Sequence, residues 1–196
     1  MPKISAERKA ERRQQILDGA QRAFARYGFE GATVQRLEEE TGLSRGAIFN
    51  YFENKDALFI ELCRRDSERI SGLFVEGGVA AVLQAILEVD PAWYGVYLEL
   101  TRRVRTDEKF REQIEARAHD IRPVNRARIE QAQRDGEFRD DLAPQEIGAF
   151  LNLVLGGLAV QRVEGEDSLP SELILRLIDD AIGGRAARTR RRRSTA

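Results

Sequence analysis

The chain has one cysteine and one histidine. Cys63 has no partner for an internal disulfide, which points to a reducing compartment such as the cytoplasm. With only His119 beside it, neither a conventional zinc site nor a Cys–His dyad can be built within one chain. No unbroken apolar run approaches the roughly 20 residues of a membrane span. The opening stretch "MPKISAERKAERRQQ" is basic but has no apolar segment behind it, which excludes a secretory signal. Strand-like alternation and internal repeats are absent. So are a Gly-rich phosphate loop, a nucleophile–base constellation and a metal-ligand cluster, and with them the commoner enzyme classes.

What is present is helical periodicity over most of 196 residues, 42% of them hydrophobic. That length suits one domain or two small ones. The net charge of −1 hides an uneven distribution. Residues 1–55 carry 10 basic and 8 acidic side chains, residues 185–196 carry six arginines and no acid, and the middle holds 16 basic and 25 acidic residues. An acidic body between basic ends directs attention to a polyanion at the ends.

Apolar spacing predicts a first helix from about Glu7 to Tyr27, stopped at Gly28. A short helix follows Thr33 and ends at Gly42. Another starts at Ser44, a good N-cap, and runs to about Tyr51. A fourth begins near Asn54-Lys55-Asp56. Gly72 and the "EGG" at 76–78 are read as breaks. Further helices are expected over roughly 79–88, 91–105, 108–135, 144–163 and 170–183, with Pro123 kinking or splitting the longest. The last dozen residues have no apolar face and read as a disordered tail.

"TVQRLEEETGLSRGAIFNYF" has the spacing of a helix-turn-helix, whose second helix enters the DNA major groove. Ile48 and Phe52 would turn inward. Ser44, Arg45, Gly46, Ala47 and Asn50 would form a polar, small-residue face. Gly46 costs about 1 kcal/mol relative to Ala in a helix, a cost that close approach to DNA would explain. Arg45 and Asn50 can make bidentate contacts to guanine and adenine; Thr33, Tyr51 and Lys55 suit phosphate. The helix starts at Thr33 and Ser44 also aim N–H groups outward. The bland alternative is an ordinary all-helical domain in which Arg45 is a solvated cation and the aromatics are core.

From Arg13 to Leu62 the chain resembles the DNA-binding domain of the TetR family of bacterial transcription regulators, on "ILDGAQRAFARYGFEGATV" and "GLSRGAIFNYFENKDALF". The resemblance implies an all-α fold: an N-terminal three-helix DNA-binding domain with a helix-turn-helix, then a C-terminal helical ligand-binding and dimerisation domain. The corresponding boundaries are 1–54, 55–184 and a basic tail at 185–196. By position it implies DNA contacts at Thr33, Arg45, Tyr51 and Lys55. The full candidate set is Thr33, Val34, Ser44, Arg45, Gly46, Ala47, Phe49, Asn50, Tyr51 and Lys55. Asn50 stands where the family commonly has histidine, so base preference there is open. "EGATVQRLEEETGLSRGAIFNYFENKDALF" and "LELTRRVRTDEKFR" further resemble the aconitase-repressor branch. That implies control of an aconitase gene and a citrate–magnesium effector, with no cofactor required.

In the body, Glu99 and Arg103 stand i, i+4, with Arg102 beside them. His119, Arg122, Arg126 and Arg128 lie on the Pro-interrupted segment, and Asn152 interrupts an apolar run. If these helices enclose one cavity, Glu99, Arg102, Arg103, His119, Arg128 and Asn152 are the candidate ligand residues. Arg103 and Arg128 would grip carboxylates, and Glu99 would hold a divalent cation with the ligand. The alternatives are a surface Glu99–Arg103 pair, a surface His119, and an Asn152 that bonds across a dimer interface. Segments 144–163 and 170–183 carry more apolar surface than a monomer's edge needs. Two helices from each of two subunits would make a four-helix bundle.

The function expected is a DNA-operator-binding homodimer released by a small-molecule effector, with no membrane role. The alternatives are regulation of an unrelated efflux or catabolic gene by an apolar effector, a DNA-binding protein with no ligand, and an enzyme.

Overall fold

The computed structural model describes residues 6–119, 121–165 and 169–184, without the side chains of 117–119. The arginine-rich tail therefore lies outside the described residues, as do the first five. Among those described, the elements are α1 (Ala6–Gly31), α2 (Val34–Thr41), α3 (Arg45–Phe49), α4 (Lys55–Glu88), α5 (Pro91–Thr106), α6 (Glu108–His119), α7 (Ile121–Arg134), α8 (Pro144–Glu164) and α9 (Ser171–Ile182). They include no strand, and one isolated antiparallel bridge joins Phe138 to Gly183.

The helix ends follow local chemistry. At Gly28 the backbone turns to φ 69°, ψ 172°, which interrupts α1 and leaves a single turn beyond it. The Thr33 hydroxyl accepts from the Arg36 amide, and Gly42 closes α2 in the left-handed conformation. The Asp90 carboxylate accepts from the Ala92 amide at 2.9 Å ahead of Pro91. Glu146 accepts from the amide of Ala143 at 2.7 Å ahead of Pro144.

One expected break is absent, and the one read at 76–78 falls at Gly78. α4 runs through Gly72 and kinks at Gly78, where φ is 65°. One helical glycine costs only about 1 kcal/mol, and Ser71 and Phe74 beside Gly72 are buried. The Ser71 hydroxyl also donates to the Asn125 side-chain carbonyl at 2.6 Å, holding that stretch to α7. The long segment expected at 108–135 is helical on both sides of residue 120, which lies outside the described residues. Pro123 itself stands within α7.

The chain divides into two compact units, one drawn from Met1–Asp66 and Asp90–Arg117, the other from Ser67–Val89 and Ala118–Ala196. In the first, α1 packs on both α2 and α5. A Cβ at Gly19 would lie 2.6 Å from Thr41 Cα, so α1 and α2 touch backbone to backbone there. The core is aromatic. Phe24 stacks on Phe29 at 5.5 Å, Phe59 meets both edge-on, and Trp93 and Tyr97 continue the cluster from α5. In the second unit, α7 packs on α8. Ile129, Ala132, Ile147, Leu158 and Ile178 are buried there. Arg162 crosses to the end of α4 and donates to the carbonyls of Val89, at 3.0 Å, and of Ile86.

A backbone clasp fixes the end of α9. The Arg139 amide donates to the Ile182 carbonyl at 2.8 Å, and the Gly184 amide to the Glu137 carbonyl at 2.7 Å. A side chain at Gly184 would collide with the carbonyl oxygens of Gly136 and Phe138. By length and composition alone α4 and α8 reach what a membrane crossing requires, although no unbroken apolar run does. The expectation from apolar runs therefore does not extend to helix length.

Candidate nucleic-acid interface

The helix-turn-helix is built as its sequence suggests, with one addition. Leu37 and Ile48 are fully buried and tie α2 and α3 to the core. Thr41 is buried in the turn; its hydroxyl donates to the Leu37 carbonyl at 2.6 Å and accepts from the Leu43 amide at 3.2 Å. Ser44 accepts from the Ala47 amide at 3.4 Å. The addition is Glu38, whose carboxylate accepts from the Arg45 amide at 2.6 Å. A negative charge at this end of α3 is favoured by the helix dipole. It also occupies one of the N–H groups expected to face phosphate. Glu38 precedes Arg45 by seven residues, outside the capping-box spacing, so no sequence signal announced it.

The ten candidate contacts divide by exposure. Thr33, Ser44, Arg45, Gly46 and Asn50 are exposed; Val34, Ala47, Phe49, Tyr51 and Lys55 are half-buried. A Cβ added at Gly46 would meet nothing within 4 Å, so nothing in the described chain requires glycine there. Tyr51 lines a surface hollow of about 500 Å³ with Arg8, Glu11, Arg12 and Gln15 of α1, adding cations that the motif did not include. The run of acids on α2 is offset: Arg22 and Arg26 pair with Glu40 at 3.3 and 3.5 Å.

Lys55 is placed differently from the expected phosphate contact. Its Nζ donates to the Phe29 carbonyl at 2.8 Å and lies 4.4 Å from the centre of the Phe29 ring. Nearby on α4, Glu61 is buried between Arg13 and Arg64. Burial alone would raise its carboxyl, but hydrogen bonds from Arg64 and Arg13, with their charge, hold it below the ordinary range. Cys63 is buried as well, and desolvation pushes its thiol up to about 12.

The six candidate ligand residues belong to two units. In the first, Glu99 accepts from the Phe29 amide at 2.9 Å rather than pairing with Arg103. Arg103 bonds both carboxylate oxygens of Asp56, one at 2.7 Å, approaches Asp107 at 3.4 Å and lies over the Phe110 ring at 4.2 Å. Its guanidinium is thus already engaged, and Asp56 raises its pKa. Arg102 is exposed. In the second unit, Arg128 pairs with Glu137 at 3.1 Å, while Arg126 on another face pairs with Glu130 at 2.8 Å. Asn152 is exposed on α8 rather than buried. His119 ends α6, and its side chain lies outside those described. Glu99 and Arg103 were legible as candidates only by i, i+4 spacing, whereas their partners are 70 and 47 residues away.

Comparison with known proteins agrees with this geometry. A family model described as bacterial regulatory proteins, tetR family, matches residues 16–62, and one for the C-terminal part of BetI-type transcriptional repressors matches residues 76–186. The chain is 37% identical over 184 residues to the HTH-type transcriptional repressor Rv1474c of Mycobacterium tuberculosis, covering 93% of this chain and 98% of that one. It is 38% identical over 188 residues to the HTH-type transcriptional repressor AcnR of Corynebacterium diphtheriae, covering 93% and 97%. Salmonella enterica GusR has the same fold, with a TM-score of 0.70 at 20% identity over 91% of this chain and 98% of that one.

Proposed function

Because the chain belongs to the tetR family of bacterial regulatory proteins and is a transcriptional repressor of the AcnR type, we propose that it binds a palindromic operator as a homodimer and leaves it when a small ligand binds. The observation that carries the reading is the outward face of α3. Ser44, Arg45, Gly46 and Asn50 are exposed on it, while Ile48 holds it from behind. Arg45 would read a guanine and Asn50 an adenine. Two such helices, one per subunit, would enter major grooves about one helical turn apart or a multiple of it.

Dimerisation is supported by α8 and α9. A groove of about 580 Å³ between them is lined by Phe150, Leu153, Val154, Leu169, Ile174 and Leu177. Leu153 is 75% exposed and Leu177 50%. Cβ atoms added at Gly156 and Gly157 would meet nothing within 4 Å, which leaves room for a second copy's helices. A patch of this kind marks an interface. Sedimentation should give a dimer, and a duplex selected by the protein from a random pool should be two-fold symmetric. A monomer in sedimentation, or an asymmetric single-site sequence, refutes the reading.

The gene under control is read as an aconitase gene and the effector as citrate, on the resemblance to the aconitase-repressor branch and the identity to AcnR. The role expected of Glu99 toward magnesium does not fit: its carboxylate already accepts from the Phe29 amide. No group of three or more His, Cys, Asp or Glu that could hold a metal occurs among the described residues. Arg128 stays the candidate for a carboxylate, which would displace Glu137. Calorimetry of citrate against the dimer, with and without magnesium, tests this. The expected result is binding that weakens in Arg128→Ala; no heat at millimolar citrate removes citrate as effector and leaves the operator reading standing.

A further inference from the structure

Phe29 lies at the junction between α1 and the helix-turn-helix. Gly28 breaks α1, so the Phe29 amide no longer has a partner one turn back and needs another. Glu99 of α5 supplies it at 2.9 Å. A Cβ at Gly28 would stand 2.8 Å from Glu99 Oε1, so only glycine lets the carboxylate come this close. The carbonyl of the same residue accepts from Lys55 Nζ at 2.8 Å. The ring is buried, stacked on Phe24 and edge-on to Phe59. A second tie runs alongside, with Arg103 of α5 bound to Asp56 at the start of α4. Phe29 is thus held through its N–H by α5, through its carbonyl by α4, and through its ring by α4 and the part of α1 ahead of Gly28.

From this clamp the chain reaches the α2 cap at Thr33 in four residues. That link is itself fastened by Ala32 to Gly28 at 3.1 Å and by Thr33 to Gly31 at 2.8 Å. We infer that Glu99 and Lys55 are positioning residues for DNA binding: together they fix the Phe29 peptide and so the pose of α2 and α3, and neither takes its charge to phosphate, metal or effector. The inference rests on the operator-binding reading above. Its consequence is quantitative. If the Phe29 peptide is released, the head samples several poses. The apparent dissociation constant then rises by the inverse of the fraction still competent.

The two roles for Lys55 predict different salt dependence. A lysine on phosphate contributes about 0.9 to the slope of log K against log salt, and its removal lowers the slope by that amount. Removal of a lysine that serves a backbone carbonyl leaves the slope unchanged and lowers the affinity alone. For Glu99 the separation lies between two substitutions. Glu99→Gln keeps an oxygen that can accept from Phe29, whereas Glu99→Ala removes the acceptor.

The experiment measures binding of the full chain to the duplex that the wild type selects from a random pool, with concentrations corrected for active fraction and salt varied. Lys55→Met should bind roughly tenfold more weakly, with an unchanged salt slope, from the loss of a charge-assisted hydrogen bond. Glu99→Ala should lose about fivefold, and Glu99→Gln should recover most of it. Hydrogen exchange at the Phe29 amide should quicken in Glu99→Ala and stay slow in Glu99→Gln. A slope lowered by about one in Lys55→Met makes Lys55 a phosphate contact and overturns the inference. So does a Glu99→Gln variant as defective as Glu99→Ala, or a pair of variants that bind like the wild type. A wild type that selects no duplex defeats the operator reading itself.

Discussion

Gly46→Ala separates what the fold wants from what the ligand wants. In the free protein residue 46 is helical and exposed, and an added Cβ meets nothing within 4 Å. Alanine should therefore stabilise the chain. The full helix-interior gain of about 1 kcal/mol will not be reached, because α3 has five residues and position 46 is in its first turn; roughly 0.5 kcal/mol is expected. For a chain of this size that corresponds to a rise in Tm of about 1–2 °C. On DNA the sign reverses. A methyl group between the helix and the base edges pushes Arg45 and Asn50 outward, and loss of one bidentate contact is worth about 1–3 kcal/mol, or roughly fivefold and more in affinity. Thermal unfolding and fluorescence anisotropy on one preparation give both numbers. A variant that is more stable and binds the selected duplex as well as the wild type would show that α3 does not approach DNA at residue 46, and the reading of the recognition face would fail with it.

Arg45→Ala should weaken specific binding by about 1–3 kcal/mol and relax preference at one base position; selection with the variant checks both. Leu153→Asp sets a charge on the most exposed large apolar side chain of α8 and should convert the dimer to monomer by sedimentation, with little change in helical content. Cys63 keeps its proton in the folded chain up to about pH 12, whereas the unfolded chain loses it near 9. The stability it contributes is complete below pH 9 and is lost as pH rises toward 12, and at pH 8 the folded protein should resist alkylation. Glu61 has the opposite sign: held below its ordinary value of 4.5, it contributes stability above that pH and loses it as pH falls through its folded value. Acid titration of Glu61→Gln should accordingly show a shallower loss.

The helix-turn-helix was legible because its signals are local. Thr33, Gly42 and Ser44 each cap a helix through a neighbour no more than four residues away, and Ile48 and Phe52 are buried where helical spacing puts them. Long-range polar partners were not legible. Helical periodicity lists neighbours at three and four residues, so Glu99 and Arg103 read as a pair, whereas the fold turns Glu99 to Phe29 and Arg103 to Asp56. The same holds for Glu38, whose bond to the Arg45 amide spans a turn. Gly72 misled because composition alone does not tell a tolerated helical glycine from a breaking one. What distinguished Gly78 was its positive φ. Arg126 and Arg128 were separable beforehand, since residues two apart face different ways, and they do take different acids.

The clasp at the end of α9 sets a sharp boundary for shortening or extending the protein. A stop codon after residue 182 would delete Gly183 and Gly184, remove the bond from Gly184 to Glu137, and further expose the half-buried 136–139 loop. A stop one codon later than Gly184 would leave the clasp whole. Chains ending on either side of this two-residue line should therefore differ in protease resistance out of proportion to the length removed, with new cleavage near Arg134 and Arg139 in the shorter one. A reporter or tether attached beyond residue 184 would start from a point held by backbone bonds rather than from a fraying helix end.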